Sequence, residues 1–211
     1  NTGFLTDDSS LVEDMNGPTI QWLIAQSKER ETAICGSLLC REEGVVYNRF
    51  LMVSNGEIVG HYDKTHLFSM AGEQEYIQAG NIKADMVVNG FKIRPIICYD
   101  LRFPYTSFND TEYDILLNVA SWPSQRIAHW DALLQARAIE NQAYVIGCNR
   151  VGEQTMNDGK AIYYPGHSSA YAPDGERLAH EVKEGVIQVV LDKNVITVTR
   201  EKLPFLKDRR M

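Results

Sequence analysis

Cys98 lies where an apolar run of the chain turns abruptly polar. Residues 91–104 read FKIRPIICYDLRFP. The β-branched residues before Cys98 favour a strand, whereas Asp100 and Arg102 are more typical of a turn or the first turn of a helix. A thiol at the carboxyl end of a strand faces backbone N–H groups whose partial positive charge favours the thiolate, the reactive form of cysteine. We therefore interpret Cys98 as a nucleophile, although taken alone it also fits a buried structural thiol.

A lysine occupies the corresponding position at the end of another predicted strand. Asn55-Gly56 lies between two strand-like runs and predicts a hairpin whose second strand is Glu57–Tyr62. Lys64 follows closely, so it is our second candidate for catalysis; a solvated surface lysine is the alternative. The loop-like segment Ser69–Asn81 comes next and carries Glu73 and Glu75. Because site residues collect on loops beside strand ends, both glutamates are candidates at this point.

Strands and helices must hold these side chains in place. A second Asn-Gly pair, at positions 89 and 90, turns one short strand into the strand that delivers Cys98. The apolar stripe over Ile127–Gln142 indicates a helix packed on a core. We predict further helices over Asp14–Arg30 and from Asp192 to before Pro204, and further strands over Ala33–Leu39, Val45–Val53, Met86–Val88, Ile115–Val119, Ala143–Cys148, Glu176–Ala179 and Gly185–Leu191. No linker or repeat divides the chain, so residues 1–211 are expected to form a single domain.

The composition narrows the class of partner. The net charge is −7 without a run of lysine or arginine, which argues against a nucleic-acid or anionic-membrane surface and favours a small-molecule partner. The cysteines at positions 35, 40, 98 and 148 form no CxxC pair, so reduced thiols are expected. Residues 1–10 are polar and acidic, unlike a signal peptide, and no segment approaches a membrane span. These features predict a soluble, cytoplasmic protein.

The sequence offers no spacing typical of a metal or nucleotide cofactor. The histidines form no close helical pair and join no cysteine pair; they are His61, His66, His129, His167 and His180. Neither of the glycine-rich phosphate-binding motifs, G-x-x-x-x-G-K-[ST] and G-x-G-x-x-G, occurs. We therefore expect chemistry by side chains alone, with no cofactor and no metal.

Motifs along the chain together resemble those of one family. Residues 62–68, YDKTHLF, and residues 97–104, ICYDLRFP, resemble the two central motifs of the nitrilase (carbon–nitrogen hydrolase) superfamily. The later motifs of that family are matched in order by residues 129–130, 136–144 and 166–168. The chain is most similar to the omega-amidase branch, whose members hydrolyse the terminal amide of 2-oxo dicarboxylic acid monoamides.

This resemblance implies a fold, an assembly and a mechanism. The fold is an α/β four-layer α-β-β-α sandwich, the assembly is a homodimer, and a Glu-Lys-Cys triad works on a small-molecule amide without a metal or organic cofactor. Cys98 corresponds to the nucleophile and Lys64 to the cation that stabilises the tetrahedral intermediate. Glu73 corresponds to an additional active-site glutamate that orients substrate and lysine. The backbone N–H of Tyr99 would donate to the oxyanion together with Lys64.

The general-base glutamate of the triad has no counterpart in this sequence. In the family it lies on a strand end in a Pro-Glu-Met-Phe type sequence, immediately before a segment that resembles Asn1–Phe4. We therefore expect the 211 residues to be N-terminally incomplete, lacking the family's first strand and helix along with the base. The alternative is a degenerate, inactive protein that keeps the fold.

Other residues would shape the substrate pocket. Trp122 either walls the pocket or caps the core. Arg102 or Arg126 could bind the distal carboxylate of a 2-oxo acid, and a structural pair with a carboxylate is the alternative for Arg102. Two other functions stay open at this point. The same triad could process a nitrile or an N-carbamoyl group, and a protein without the base could bind ligands or partners without catalysis.

Overall fold

The structure, a computed structural model, describes residues 9–81, 83–156 and 159–209. Within these ranges the α-helices are α1 (Pro18–Glu29), α2 (Pro104–Ser107), α3 (Ile127–Asn141) and α4 (Lys193–Lys202). The strands are β1 (Val12–Asp14), β2 (Ala33–Glu42), β3 (Val45–Ser54), β4 (Glu57–Asp63), β5 (Met86–Val88), β6 (Phe91–Ile97), β7 (Ile115–Ala120), β8 (Tyr144–Asn149), β9 (Val151–Thr155), β10 (Ala161–Pro165), β11 (Ser168–Tyr171) and β12 (Arg177–Glu181). No helix in this part of the chain has the length and apolar character needed to cross a membrane.

The first sheet has the strand order β1-β2-β3-β4. β1 pairs with β2 in parallel, and the remaining neighbours are antiparallel. The turn between β3 and β4 is Asn55-Gly56, whose φ angles of 51° and 85° are the positive values that a tight two-residue hairpin requires. The predicted hairpin is therefore confirmed. It carries the chain out of β4 directly into Lys64.

The second sheet has the strand order β12-β11-β8-β7-β6-β5. Its central strands β6, β7 and β8 run parallel, so their carboxyl ends meet at one edge of the sheet. In sheets of this kind, ligand sites collect at that edge. Cys98 follows the end of β6 there, and Ser121 follows the end of β7. The second predicted hairpin is also confirmed, because β5 and β6 are antiparallel across Asn89-Gly90.

The two sheets pack face to face, and a helix covers each outer face. Successive side chains of a strand point to opposite faces of the sheet, so one strand contributes side chains to the packing on both faces. On β6, Ile97 packs between the sheets, whereas the adjacent Ile96 packs beneath α3. The order α1, first sheet, second sheet and α3 is the predicted α-β-β-α sandwich, and that prediction is confirmed.

Apolar clusters fill the spaces between these layers. Each fully buried aliphatic or aromatic side chain contributes roughly 1.5–3 kcal/mol by leaving water. Trp130 of α3 is completely buried and is the largest such side chain. The clusters include Ile20, Leu38 and Leu51 beneath α1, Phe50, Met52, Ile93 and Tyr144 between the sheets, and Leu116, Trp130, Leu134 and Val145 beneath α3.

Three stretches differ from the predictions. β1 (Val12–Asp14) was not predicted, and the first helix begins at Pro18 although it was expected to begin at Asp14. The strand predicted over Gly185–Leu191 is wrong, because this segment has no regular structure and Val186 and Val190 are 93% and 91% exposed. Alternating apolar residues fit a strand, but a strand forms only beside a partner, and none of the strands in the described ranges pairs with this segment. β9 and β10 form a separate two-stranded hairpin that the sequence did not predict. Asn1–Phe4 lies outside the described residues.

Candidate active site

Cys98 is held in an uncommon backbone conformation at the end of β6. Its φ angle is 46°, in the left-handed region that residues other than glycine seldom adopt. Such a conformation persists only where the surroundings impose it, and it is frequent at functional sites. Here the backbone N–H of Cys98 donates to Oδ1 of Asn118, on neighbouring β7, over 2.8 Å. The chain then enters a short 3-10 helix, Cys98–Arg102, so the thiol stands where strand becomes helix.

Tyr99 is the second residue of that 3-10 helix. The first N–H groups of a helix have no acceptor within the helix itself. The N–H of Cys98 is taken by Asn118, whereas that of Tyr99 is the next one along and lies beside the thiol. The oxyanion role of the Tyr99 N–H stays a prediction from the sequence.

Lys64 leaves β4 into a buried position fixed by its own backbone. Its N–H donates to the carbonyl of Asn48, and its carbonyl accepts from the N–H of Gly80, each over 2.9 Å. Gly80 must be glycine, because a Cβ there would lie 2.4 Å from the carbonyl oxygen of Asp63. Lys64 is only 2% exposed, so the alternative of a solvated surface lysine is wrong.

Glu73 is the partner of Lys64. The Lys64 ammonium donates to both carboxylate oxygens of Glu73, over 2.8 Å to Oε1 and 2.5 Å to Oε2. The N–H of Phe68 donates to Oε2 over 2.6 Å, and Glu73 is itself 2% exposed. A buried charge is tolerable only when it is paired and hydrogen-bonded, and this pair meets both conditions. The ammonium has three N–H groups, so one stays available for a further acceptor.

The charges of this ion pair act on the Cys98 thiol. Burial raises the pKa of Cys98, because it disfavours the thiolate. Lys64 lowers the pKa of Cys98, whereas Glu73 raises it. The structure therefore brings the three predicted catalytic side chains within electrostatic reach of one another, from the end of β4, the following loop and the end of β6.

Asp100 joins the two strand ends that carry Lys64 and Cys98, and sequence reasoning gave it no role in the site. It is completely buried and accepts from the Tyr62 hydroxyl over 2.8 Å. It also accepts from the backbone N–H of His66 over 2.8 Å and from that of Ile97 over 3.1 Å. One carboxylate thus fixes the spacing between the two central motifs. The only hint in the sequence is that an aspartate follows Cys98 by two residues.

A small cleft opens at the Cys98 thiol. Its enclosed volume is about 20 Å³, and it is lined by Phe68, Cys98, Tyr99, Arg102, Trp122, Pro123 and Arg126. Trp122 is 2% exposed and packs against Trp130 at a ring distance of 5.5 Å, so it both walls the cleft and belongs to the core. Asn149 holds the Trp122 backbone from both sides, accepting from its N–H over 2.7 Å and donating to its carbonyl over 3.1 Å.

Two arginines stand at the cleft. The Arg102 guanidinium lies 4.8 Å from the ring centre of Trp122 and makes a 3.2 Å hydrogen bond to Nδ1 of His129. The Arg126 guanidinium lies 5.2 Å from the ring centre of Phe68. Neither guanidinium forms an ion pair with a carboxylate of the described residues, so no described carboxylate is the structural partner of Arg102.

Cys148 marks a second, larger cavity. That cavity has a volume of about 670 Å³ and lies between the β8–β11 pair and the segment that follows β12. Desolvation raises the pKa of Cys148, and the Ser168 hydroxyl lowers it. Burial raises the pKa of Cys35 to about 12. Among these three thiols, only Cys98 has a lysine that favours its thiolate.

Solved structures place this fold in a known class. The chain matches XC1258 of Xanthomonas campestris, a CN-hydrolase superfamily protein with an arsenic adduct in its active site. The TM-score is 0.89 and the identity 33%, over 97% of this chain and 80% of that one. Nit3 of Saccharomyces cerevisiae, a member of branch 10 of the nitrilase superfamily, shares the fold with a TM-score of 0.83 at 23% identity, over 98% of this chain and 77% of that one. The sandwich is therefore that of the nitrilase superfamily.

Sequence comparison identifies the family. Residues 3–201 match the carbon-nitrogen hydrolase family, and the chain belongs to that family. It is 43% identical over 204 residues to the omega-amidase YafV of Escherichia coli K12, covering 95% of this chain and 76% of that protein. It is 34% identical over 215 residues to the 2-oxoglutaramate amidase of Bacillus subtilis, covering 99% of this chain and 81% of that protein. The predicted superfamily and the predicted similarity to omega-amidases are both confirmed.

Proposed function

We propose that this carbon–nitrogen hydrolase is an omega-amidase. It hydrolyses the terminal amide of a small 2-oxo dicarboxylic acid monoamide to a carboxylate and ammonia. The similarity to an omega-amidase and to a 2-oxoglutaramate amidase supports the substrate class. The observation that carries the chemistry is the Cys98 thiol at a strand end, within reach of the charge of the buried Lys64–Glu73 pair.

The first half of the reaction is attack of the Cys98 sulfur on the amide carbonyl carbon. As the C–S bond forms, the carbonyl oxygen gains negative charge. The third N–H of Lys64 and the backbone N–H of Tyr99 stabilise this oxyanion, and one such donor is worth roughly 2.7–4 kcal/mol. Collapse of the intermediate breaks the C–N bond, and ammonia leaves with the proton that the thiol gave up. A thioester on Cys98 remains.

The second half hydrolyses the thioester. Water adds to the same carbonyl carbon, the same two donors stabilise the second oxyanion, and the C–S bond breaks. The acid product leaves and Cys98 recovers its proton. Nucleophilic catalysis by this route divides one difficult amide hydrolysis into two easier steps.

Glu73 acts in this scheme by orienting Lys64. Both of its oxygens accept from the ammonium, and one also accepts from the N–H of Phe68. Asp100, the other carboxylate whose charge raises the pKa of Cys98, is occupied by Tyr62, His66 and Ile97. Neither is placed to accept the thiol proton. The base glutamate implied by the family resemblance is therefore a residue distinct from these two.

The cleft at the Cys98 thiol selects the substrate. Trp122 forms an apolar wall against the short carbon chain, and the guanidinium groups of Arg102 and Arg126 attract the distal carboxylate. Arg126 is the better candidate for direct binding, because Arg102 already shares a hydrogen bond with His129. We also propose that the protein is a single domain, is cytoplasmic and forms a homodimer. The four free cysteines support the cytoplasmic location, and the family resemblance supports the homodimer.

A substrate comparison tests the proposal. Ammonia release is measured with 2-oxosuccinamate, 2-oxoglutaramate and a simple aliphatic nitrile, and kcat/KM is compared. We expect the two 2-oxo amides to be preferred. Preference for the nitrile would indicate that the protein is a nitrilase and not an omega-amidase. Ligand binding without ammonia release would indicate a non-catalytic protein.

A further inference from the structure

Two histidines and an aspartate, none of which lines the Cys98 cleft, lie close together. Asp131 belongs to α3, His167 directly precedes β11, and His180 lies on β12. Their potential metal-ligand atoms all lie within 4.8 Å of one another, and each side chain is partly buried. Asp131 and His167 are 36 residues apart in the chain, so sequence spacing could not reveal the cluster.

A buried serine occupies one of the two ring nitrogens of His180. Ser169 is 1% exposed, and its Oγ lies 2.8 Å from Nδ1 of His180 and 3.1 Å from the carbonyl oxygen of His167. The other ring nitrogen, Nε2 of His180, makes no hydrogen bond with any residue that the structure describes. Nε2 is therefore the nitrogen of His180 that is free to bind an ion.

His167 and Asp131 lie beside His180. Nδ1 of His167 lies 2.9 Å from Oδ2 of Asp131 and 3.2 Å from Oδ1. The rings of His167 and His180 stand at 90° with centres 4.8 Å apart. The backbone of His167 is anchored by Trp130, whose indole N–H donates to its carbonyl over 2.8 Å. The contact of Ser169 with Nδ1 of His180 is the kind of second partner that orients an imidazole ligand in metal sites.

We propose that Asp131, His167 and His180 bind one divalent first-row transition-metal ion of the zinc type. Two neutral imidazoles and one carboxylate form a ligand set that zinc uses, and three protein ligands leave a position for water. The site is separate from the thiol chemistry, because none of its three residues lines the Cys98 cleft. The ion ties α3 to the β11–β12 edge of the second sheet, so its effect is on stability.

The test is a zinc titration of the full chain by isothermal calorimetry. Because zinc also binds thiolates, the titration uses the background Cys98→Ser/Cys148→Ser, which removes the cleft thiol and the exposed thiol. We expect one equivalent of zinc to bind and the melting temperature to rise with zinc concentration. Cobalt bound at the same site should show visible d–d bands without a thiolate charge-transfer band.

Three variants and one control locate the ion. In His180→Asn the amide nitrogen replaces Nδ1, so the hydrogen bond to Ser169 survives while Nε2 is lost. His180→Asn and Asp131→Asn should each abolish measurable binding. Ser169→Ala, which only frees the orientation of His180, should weaken binding by about 10–100-fold. His61→Gln removes an exposed histidine on the other sheet and should bind zinc like the parent.

The outcomes decide the proposal in either direction. Absence of binding to the parent would overturn it, as would unchanged affinity in His180→Asn. A cobalt spectrum with thiolate bands that persist in His180→Asn would assign the ion to a remaining cysteine and would also overturn it. Circular dichroism of each variant without metal establishes that loss of binding is not loss of fold, and His180→Asn decides the matter if Asp131→Asn fails to fold.

Discussion

The carboxyl ends of β6 and β8 each present a cysteine, and the two differ in backbone conformation and in the charges around the thiol. Cys98 lies just beyond its strand, with φ at 46° and its N–H bound by the neighbouring strand. Cys148 is still within β8 and pairs in regular register with Val119 of β7. A thiol inside a strand has its backbone groups committed to the ladder. A thiol one residue beyond the strand can lie near the free N–H groups of the following helix. A difference of one or two positions along the chain therefore separates a reactive thiol from a structural one.

The surroundings of the two thiols differ in charge and in space. Lys64 favours the thiolate of Cys98, whereas only the Ser168 hydroxyl favours that of Cys148. The cavity at Cys148 is about 670 Å³ and that at Cys98 about 20 Å³. The larger cavity therefore lies at the less activated thiol. A buried cation, and not the size of the cavity, is what distinguishes the candidate site.

The largest effect should come from removing the thiols one at a time. Cys98→Ala should reduce kcat by about 10⁴-fold or more, as expected when a covalent nucleophile is lost. Cys148→Ala should leave kcat close to that of the parent, because that thiol touches no part of the cleft. Ammonia release by the two purified variants measures both. Mass spectrometry after brief exposure to substrate should find the acyl group on the peptide that contains Cys98, and an adduct on Cys148 would reverse the assignment.

The next largest effect should follow from removing the charge that sets Cys98 apart. Lys64→Met should lower kcat by about 10²–10³-fold, because a donor to the oxyanion is lost. Lys64→Arg should not restore turnover, since a planar guanidinium fork cannot replace a compact ammonium in a buried pair. Rates are taken per folded molecule from steady-state ammonia release.

A control variant must separate the effect of Lys64→Met on turnover from its effect on the stability of the fold. Lys64→Met alone leaves the Glu73 carboxylate buried without its cation, and breaking a buried pair costs roughly 3–5 kcal/mol. The double variant Lys64→Met/Glu73→Gln removes both charges and should recover most of that loss in urea denaturation, while kcat stays low. Recovery of kcat with stability would show that Lys64 serves only the fold.

The sequence predicted those parts of the fold that local physics determines. The Asn-Gly turns and the apolar stripe of α3 depend on neighbours in the chain, and they are where the structure has them. Cys98 and Lys64 became candidates because they stand at strand ends and in family motifs, and Glu73 because it lies on the loop after Lys64 and corresponds to a family glutamate. Asp100, Asn118 and Asn149 were missed, because their hydrogen-bond partners come from other strands. The strand predicted over Gly185–Leu191 failed for the same reason, since its alternation has no partner strand in the described part of the chain.

Two glycine variants test how closely the backbone packs around Lys64. Gly80→Ala places a Cβ 2.4 Å from the Asp63 carbonyl, next to Lys64, and overpacking of this kind typically costs about 1–3 kcal/mol. We expect lower stability together with a lower kcat, because the loop that carries Glu73 must shift. Gly36→Ala is the control, since a Cβ there meets nothing within 4 Å. Thermal denaturation and kcat should be unchanged in Gly36→Ala, and equal effects in both variants would contradict the close approach.

The smallest and most specific effect should be a shift in the pH dependence of alkylation. Only the thiolate reacts with iodoacetamide, so the rate at each cysteine rises as pH approaches its pKa. Burial raises the pKa of Cys98 and Lys64 lowers it, so Lys64→Met should move the alkylation midpoint of Cys98 to higher pH. Cys148 should keep its midpoint in that variant, because Lys64 has no influence on its pKa.

The reciprocal variant completes the comparison. The Ser168 hydroxyl lowers the pKa of Cys148, so Ser168→Ala should raise the midpoint of Cys148 and leave that of Cys98 in place. Peptide mapping of a pH series reports both cysteines in one sample, so each serves as the internal standard of the other. If both midpoints move together in either variant, a general change in structure has occurred. If Cys98 does not move in Lys64→Met, the lysine charge does not reach the thiol, and Lys64 loses its place in the proposed mechanism.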